Sequence, residues 1–181
     1  MSNRSAIRYT YQDYLAVPED PAHRHEIVDG ELHVSAAPRF RHQEIVGNLF
    51  RALDEAVRAG ELGKVVPGPV TVHLHDELVV EPDIVFVRRD RMAIVDREGG
   101  IHGPPDLVVE VLSPSNRAYD RDLKRKRYLE NGVAEVWIVD ADEGTVEIWK
   151  PGGETPILLR RELVWAAGDQ TLRMDLAEIF A

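Results

Sequence analysis

Three short segments of the chain are apolar along almost their whole length: VVEPDIVFV at 79–87, DLVVEVL at 106–112 and AEVWIVD at 134–140. Short runs rich in valine and isoleucine are typical of β-strands. DLVVEVL shows no regular polar alternation, so we expect this strand to be covered on both faces. With the helical segments around these strands, the order of elements predicts an α/β fold in which a mixed β-sheet is flanked by helices.

Two helices and a hairpin are predicted before the first of these strands. Thr10 is placed to cap a short helix that ends before Pro18. The inward residues of this helix are expected to be Tyr11, Tyr14 and Leu15. Asp29-Gly30 separates two alternating segments and predicts an N-terminal β-hairpin. A second helix is predicted from His42 to about Arg58, where apolar residues recur every four positions at Ile45, Leu49, Leu53 and Val57.

The rest of the chain predicts further strands and one more long helix within a single domain of residues 1–181. Strands are predicted at 63–74 and 78–87, separated by a polar turn at 75–77. The charged, glycine-rich segment 88–104 predicts an exposed loop with one short helical turn. Ser115 and Asn116 are good caps for a helix that runs through Leu129. A hairpin around 142–144 follows, and the tail predicts a strand or loop and then a short helix.

The composition limits the possible classes of function. The 181 residues include no cysteine, which excludes disulfide scaffolds, cysteine nucleophiles and thiolate zinc sites. No apolar run approaches the roughly 18 residues of a membrane span, and the N-terminal segment lacks the apolar core of a signal peptide, so we expect a cytoplasmic protein without a membrane role. The formal net charge of -10 disfavours a nucleic-acid coat, but a metal ion or a local basic patch would make it compatible with a nuclease.

Two of the predicted strands contain a carboxylate within an apolar run: Asp83 in EPDIVFV and Glu110 in DLVVEVL. An ionised carboxylate that is buried without a partner is costly. Neighbouring strands could place both side chains on one face, where a hard divalent cation with oxygen ligands would offset their repulsion. The alternative is that both lie at strand ends and accept hydrogen bonds from a helix N-terminus or an arginine.

The helix predicted after DLVVEVL carries a second group of candidate residues. Asp120, Lys124 and Tyr128 are four residues apart, so a helix aligns them on one face. A lysine presented toward a carboxylate-bound metal could orient an attacking water and offset developing negative charge. A solvated helix face with an acid and a base four residues apart explains the same spacing.

Several motifs together resemble a known family. EPDIVFV, PDLVVEVLSPS, the spacing of Asp120, Lys124 and Tyr128, and GVAEVWIVD resemble, in that order, the Uma-type family of restriction-endonuclease-like proteins in the PD-(D/E)XK nuclease superfamily. The upstream segments HEIVDGEL and APRFRHQEIVGNL resemble the N-terminal signature of the same family. The resemblance extends from about residue 10 to about residue 150 and implies a restriction-endonuclease-like fold.

The resemblance also implies a magnesium-dependent phosphodiesterase centre, with Mn²⁺ as an alternative ion. Asp83 matches the aspartate of the PD half-motif and Glu110 the acidic residue of the (D/E)XK half-motif, both as metal ligands. Leu112 occupies the position at which this pattern has lysine. The resemblance suggests that Lys124 replaces that lysine from the following helix, with Tyr128 supporting it from the next turn.

Glu26 and His42 match positions that recur in the family signature. Glu26 is a candidate metal or water ligand, and His42 is a candidate proton carrier or phosphate contact. Both are equally compatible with ordinary surface or capping roles. Asp106 is a weaker partner for Glu110, because four residues of strand separate the two by about 13 Å.

Two other sets of residues are weaker candidates for a site. The pairs His23 with His25 and His73 with His75 each share one face of a strand, but two imidazoles alone form a weak metal site. The KRKR segment at 124–127 wraps around its helix, so most of these side chains are expected to be solvated.

The sequence therefore predicts a metal-dependent nuclease that hydrolyses phosphodiester bonds in DNA, with a homodimer as a further expectation from the resemblance. A non-catalytic binding or regulatory module that keeps the nuclease fold is the alternative. The leucine at position 112 and the net charge of -10 favour that alternative.

Overall fold

The computed structural model describes residues 7–18, 20–113 and 117–181. Helices α1 to α4 are Tyr11–Leu15, Phe40–Ala59, Arg125–Glu130 and Leu176–Ile179. Strands β1 to β14 are His23–Val28, Glu31–Ala36, Gly63–Pro67, Val72–His75, Leu78–Val80, Ile84–Arg88, Val95–Asp96, Gly100–His102, Leu107–Val111, Glu135–Asp140, Thr145–Trp149, Ile157–Leu159, Glu162–Ala167 and Gln170–Asp175. A 3₁₀-helix, Arg89–Ile94, follows β6, and a π-helix, Tyr119–Lys124, leads into α3.

The strands form two six-stranded mixed sheets and a separate β13-β14 hairpin. The first, here called the hairpin sheet, has the order β2-β1-β5-β4-β8-β7. The second, here called the central sheet, has the order β12-β11-β10-β9-β6-β3. Each sheet contains one parallel pair, β4 with β8 and β9 with β10, and its other pairs are antiparallel. The predicted class, a mixed α/β fold with helices on the sheets, is confirmed.

The central sheet is covered on both faces, as the apolar sequence of β9 predicts. On one face lies α2, whose inward residues Ile45, Leu49, Leu53 and Val57 are all buried. On the other face lie the hairpin sheet and α3, packed on the alternate residues of the same strands, such as Val85 and Val108. All five residues of β9 are buried in consequence.

The N-terminal hairpin forms at the predicted turn. Asp29 and Gly30 have φ angles of 54° and 74°, which a two-residue turn between right-twisted strands requires. The turn pairs Val28 with Glu31, and the antiparallel pairing continues as far as His23 with Ala36. Alternation along β1 then points Arg24, Glu26 and Val28 to one face of the strand.

Two predicted strands are each divided between the two sheets, and to that extent the prediction was wrong. Residues 63–74 form β3 in the central sheet and β4 in the hairpin sheet, and residues 78–87 form β5 and β6 in the same two sheets. Proline provides the physical reason, because it cannot donate a hydrogen bond to a ladder. Pro67, Pro69 and Pro82 lie at the two crossings.

Smaller differences concern the first helix and the loop regions. Leu15 is 57% exposed, so it does not face inward as predicted. Residues 88–104 contain the short strands β7 and β8 in addition to the expected helical turn. Ser115 and Asn116 lie outside the described residues, and helical structure is described from 117 to Glu130. In the described part of the chain, no helix has both the length and the hydrophobicity that spanning a membrane requires.

Candidate active site

The central sheet brings the two strand carboxylates together. Antiparallel pairing aligns Ile84 with Val109 and Val85 with Val108, so Asp83, the residue before β6, lies opposite Glu110. Both side chains point toward the hairpin sheet, and each residue is only 2% exposed. The pair is therefore deeply buried between two layers of the fold.

Asp83 has partners from three parts of the chain. Arg24 of β1 donates to Oδ1 at 2.7 Å, and the backbone N–H of Val111 donates to Oδ2 at 2.8 Å. His42, in the first turn of α2, places Nε2 3.1 Å from Oδ2. Burial alone would raise the pKa of Asp83, but the hydrogen bond and charge of His42 and Arg24 outweigh it and hold that pKa below its ordinary value. Asp83 is consequently a carboxylate at neutral pH.

Glu110 has a different environment. Its Oε1 accepts a hydrogen bond from the Tyr128 hydroxyl at 2.6 Å and lies 2.8 Å from the Lys124 ammonium. Burial raises the pKa of Glu110 to about 8. The charge of Lys124 lowers this pKa, and the charges of Asp120 and Asp83 raise it. The two facing carboxyl groups therefore differ in proton affinity, because His42 and Arg24 outweigh burial at Asp83, whereas burial outweighs Lys124 at Glu110.

Lys124 reaches Glu110 from the helix that follows β9. It ends the π-helix and is only 3% exposed. Its Nζ also lies 2.7 Å from Oε1 of Glu26 and 3.4 Å from Oδ1 of Asp120. Burial would lower the pKa of Lys124, but the charges of Glu110 and Glu26 raise it well above its ordinary value. Lys124 thus places an ammonium beside Glu110. The position two residues after Glu110, where the family pattern has lysine, is leucine in this chain.

The remaining predicted site residues also lie in this cluster. Glu26, besides contacting Lys124, accepts a hydrogen bond from the backbone N–H of Glu81 at 2.8 Å. Tyr128 contacts Glu110 through its hydroxyl, while its ring centre is 6.0 Å from Nζ of Lys124. Tyr128 thus contacts the carboxylate through its hydroxyl and the predicted partner, Lys124, through its ring. Nε2 of His42 is 3.0 Å from the carbonyl oxygen of Val111, and its Nδ1 is buried without a partner among the described residues.

Three further residues join the site that sequence reasoning did not select. Arg24 binds Asp83, and Glu81 accepts a hydrogen bond from the Tyr14 hydroxyl at 2.7 Å. Burial raises the pKa of Glu81 above its ordinary value. Arg24 could have been found from the alternation of β1, because it lies two residues before Glu26 on the same face. Glu81 and Tyr14 gave no comparable signal.

The charges of the buried cluster do not balance. Four buried carboxylates belong to it: Glu26, Asp83, Glu110 and Asp120. Two permanent cations face them, Lys124 and the half-buried Arg24, so acidic groups outnumber basic ones in the cluster. Burial, together with the neighbouring carboxylates, raises the pKa of Glu110 to about 8 and that of Asp120 to about 6.

The donor atoms fit a hard divalent cation of the Mg²⁺ type. Such an ion prefers carboxylate oxygens and usually takes only one or two of them, keeping water and substrate phosphate as its other ligands. Within the described ranges, no three carboxylate or imidazole groups converge as a ready-made metal shell. Asp83 and Glu110 are the two facing carboxyl groups that could contribute ligands to such an ion.

An open pocket of about 700 Å³ leads to these groups. Asp83, Glu110 and Lys124 line its inner part, and Arg39, Arg41 and Ser113 are among its other lining residues. The pocket lies between the start of α2, the end of β9 and the hairpin sheet. The buried charges are thus accessible to a ligand from one side.

Comparison with known proteins gives the family. A family model described as "Putative restriction endonuclease", Uma2, matches residues 11–176, which is nearly the whole chain. The chain belongs to the Uma2 family. The resemblance seen in its motifs is thereby confirmed, and membership supports a nuclease-like function. No curated protein matches the chain.

A solved structure shows the same fold. The chain is similar to the crystal structure of "a putative nuclease belonging to DUF820" from Anabaena variabilis, with a TM-score of 0.79 and 19% sequence identity. The match covers 94% of this chain and 97% of that one. At this identity the likeness shows a shared fold over nearly the whole length of both chains.

Proposed function

We propose that this chain is a metal-dependent nuclease that hydrolyses phosphodiester bonds in DNA by attack of an activated water. One observation carries the proposal. Asp83, Glu110 and Lys124 come from three separate parts of the chain, yet they meet in one open pocket whose buried groups include more carboxyl groups than cations. Strongly shifted pKa values in such a pocket are typical of functional sites.

Asp83 and Glu110 would hold one Mg²⁺ or Mn²⁺ ion between the two strands. When bound, such an ion supplies a water of lowered pKa and stabilises negative charge on a phosphate oxygen. Arg24 and His42 contribute by keeping Asp83 ionised, which is the state that a ligand must have. Tyr128 contributes by fixing the orientation of the Glu110 carboxylate.

Lys124 and His42 supply the remaining groups of the proposed mechanism. Glu110 and Glu26 hold the ammonium of Lys124 in place, so its charge is preorganised to offset negative charge that develops on the scissile phosphate. The Nδ1 atom of His42 has no partner within the described residues and is the basic nitrogen that remains when Nε2 donates to Asp83 and Val111. A substrate group or water that reached this nitrogen could exchange a proton with it.

The cleavage of plasmid and single-stranded DNA by the purified protein tests the proposal. Cutting is expected with Mg²⁺ or Mn²⁺, and excess EDTA should abolish it. Asp83→Asn should also abolish it, because the substitution removes a charged ligand. Asp76→Asn, on an exposed turn, is the matched control and should cut as the wild type does. Cutting that persists in EDTA would contradict a metal-dependent mechanism.

His42→Ala is expected to lower the rate of DNA cleavage about 10- to 100-fold without unfolding the protein. The loss follows because Asp83 loses a hydrogen-bonding partner and the pocket loses a titratable nitrogen. Cleavage rates measured under metal saturation, alongside thermal unfolding, give the comparison. His75→Ala, at the exposed end of β4, is the control. If His42→Ala cleaves DNA at the wild-type rate, His42 has a structural role only.

A non-catalytic nucleic-acid-binding module is the second candidate, and one observation favours it. Both oxygens of Asp83 are already bound by groups of the protein, as they are in a purely structural ion pair. No cutting of either DNA substrate with either metal ion would support this module over the nuclease.

A further inference from the structure

Two arginines of the pocket differ from its other cations. Arg24 and Lys124 are held by carboxylates, whereas Arg39 and Arg41 contact no acidic side chain among the described residues. Both are exposed and line the approach to the buried cluster. In a chain with a formal net charge of -10, they form a local positive region at the entrance of a pocket whose inner end is negative.

Helix stability does not explain this placement. Arg39 is the N-cap of α2 and Arg41 lies in its first turn, where the helix dipole disfavours positive charge. The first turn contains no acidic residue, and no side chain caps it. An anion held at this end of the pocket would compensate both for the positive charge of the arginines and for the missing side-chain cap.

The residue between the two arginines is an exposed aromatic. Phe40 is 79% exposed, and its ring forms no aromatic pair within the described part of the chain. A single exposed apolar side chain is ordinary on a protein surface. Here, however, Phe40 lies in the sequence between two arginines that line the pocket and contact no acidic side chain among the described residues. Aromatic rings among cationic side chains are the means by which proteins hold unpaired nucleic-acid strands.

We propose that Arg39, Phe40 and Arg41 form a strand-binding element, with the arginines on backbone phosphates and the Phe40 ring stacked on a base. The inference rests on the proposed function and specifies its substrate: single-stranded DNA, or DNA with an unpaired base beside the scissile phosphate. Neighbouring base pairs cover the faces of a base within a duplex. The ring therefore favours a strand whose bases are accessible.

Binding in EDTA tests the element separately from cleavage. Fluorescence anisotropy would compare a labelled single-stranded oligonucleotide with its fully paired duplex. Wild type is expected to bind the single strand more tightly. Arg39→Ala with Arg41→Ala should weaken that binding by about tenfold or more and lower the slope of log K against log salt by about 1.4, since each phosphate contact on a single strand contributes about 0.7.

A control with the same loss of charge is present in the chain. Arg160 and Arg161 are exposed, lie between β12 and β13, and contact no acidic side chain in the described ranges. Arg160→Ala with Arg161→Ala should leave both the affinity and the salt slope close to those of wild type. If the two double variants lose equal amounts of affinity, the effect is one of net charge alone and the proposal is overturned.

Phe40 variants separate stacking from charge. Phe40→Leu should weaken single-strand binding about tenfold and remove the quenching of a 2-aminopurine base in the oligonucleotide, whereas Phe40→Trp should preserve both. Unchanged affinity in Phe40→Leu, or tighter binding of the duplex by wild type, would overturn the element.

The outcomes also distinguish this inference from the proposed nuclease activity. Binding that depends on the element, without cleavage in Mg²⁺ or Mn²⁺, would support the element and reject the nuclease. If the wild type cleaves DNA and the Arg39, Phe40 and Arg41 variants bind and cut as it does, the nuclease is supported and the element is rejected. Absence of both binding and cleavage in the wild-type protein would reject both.

Discussion

Glu110→Gln is expected to reduce metal-dependent DNA cleavage by about a thousandfold or more while the melting temperature of the metal-free protein stays the same or rises. Activity is lost because an amide replaces one of the two charged oxygen ligands. Stability is kept because burial raises the pKa of Glu110 to about 8, so its ionised form is costly in the folded protein. Glutamine has nearly the same shape, and its carbonyl oxygen can still accept the Tyr128 hydrogen bond.

Cleavage rates and thermal unfolding curves of the same preparations measure both effects. Glu143→Gln, on the exposed turn between β10 and β11, is the matched substitution and should change neither quantity. Wild-type cleavage by Glu110→Gln would remove Glu110 from the mechanism. A large loss of stability would instead mean that the carboxylate serves chiefly as an ion-pair partner.

Lys124→Met should lower the melting temperature by about 10 °C and also abolish cleavage. The change leaves Glu26, Glu110 and Asp120 buried without their shared ammonium. Removing one partner of a buried ion pair costs about 3–5 kcal/mol, and in a chain of this size 1 kcal/mol corresponds to about 2–4 °C. Methionine keeps the length of the side chain, so the loss reflects charge more than packing.

Lys126→Met provides the comparison on the same helix. Lys126 is exposed and has only a surface ion pair with Glu130, so its loss should shift the melting temperature by no more than about 2 °C. Adding Glu110→Gln to Lys124→Met should recover part of the lost stability, because one uncompensated carboxylate is removed. If both lysine variants were equally stable, Lys124 would not be the counter-ion of the cluster.

Much of the fold could be predicted because it depends on local patterns. The spacing of Ile45, Leu49, Leu53 and Val57 identified α2 and its inward face. Asp29-Gly30 fixed the register of the first hairpin through its turn geometry. The apolar run around Glu110 identified a strand that is covered on both faces. In each case the deciding interaction lies within a few residues of the chain.

The partition into two sheets could not be predicted in the same way. Strand pairing is set by contacts between distant residues, and a run of apolar residues does not show where it passes from one sheet to another. The prolines at 67, 69 and 82 are the available signal, because proline cannot donate a hydrogen bond to a ladder.

The candidate site was predictable in its chemistry and less so in its connections. Carboxylates inside apolar strands and the spacing of Asp120, Lys124 and Tyr128 indicated buried charge with a cation nearby. The partner of Asp83 was missed, because Arg24 lies 59 residues away in the other sheet. The π-helix that places Lys124 was also missed, because a spacing of four residues does not distinguish it from an ordinary α-helix.

The segment Glu81-Pro82-Asp83 is the point at which the chain leaves the hairpin sheet for the central sheet. Arg24 and Glu26 approach it from the first sheet, and Glu110 approaches it from the second. A partly folded molecule with only one layer in place therefore has at most half of the reaction centre. Under the proposed nuclease function, catalytic competence would then be confined to the molecule in which both sheets have formed.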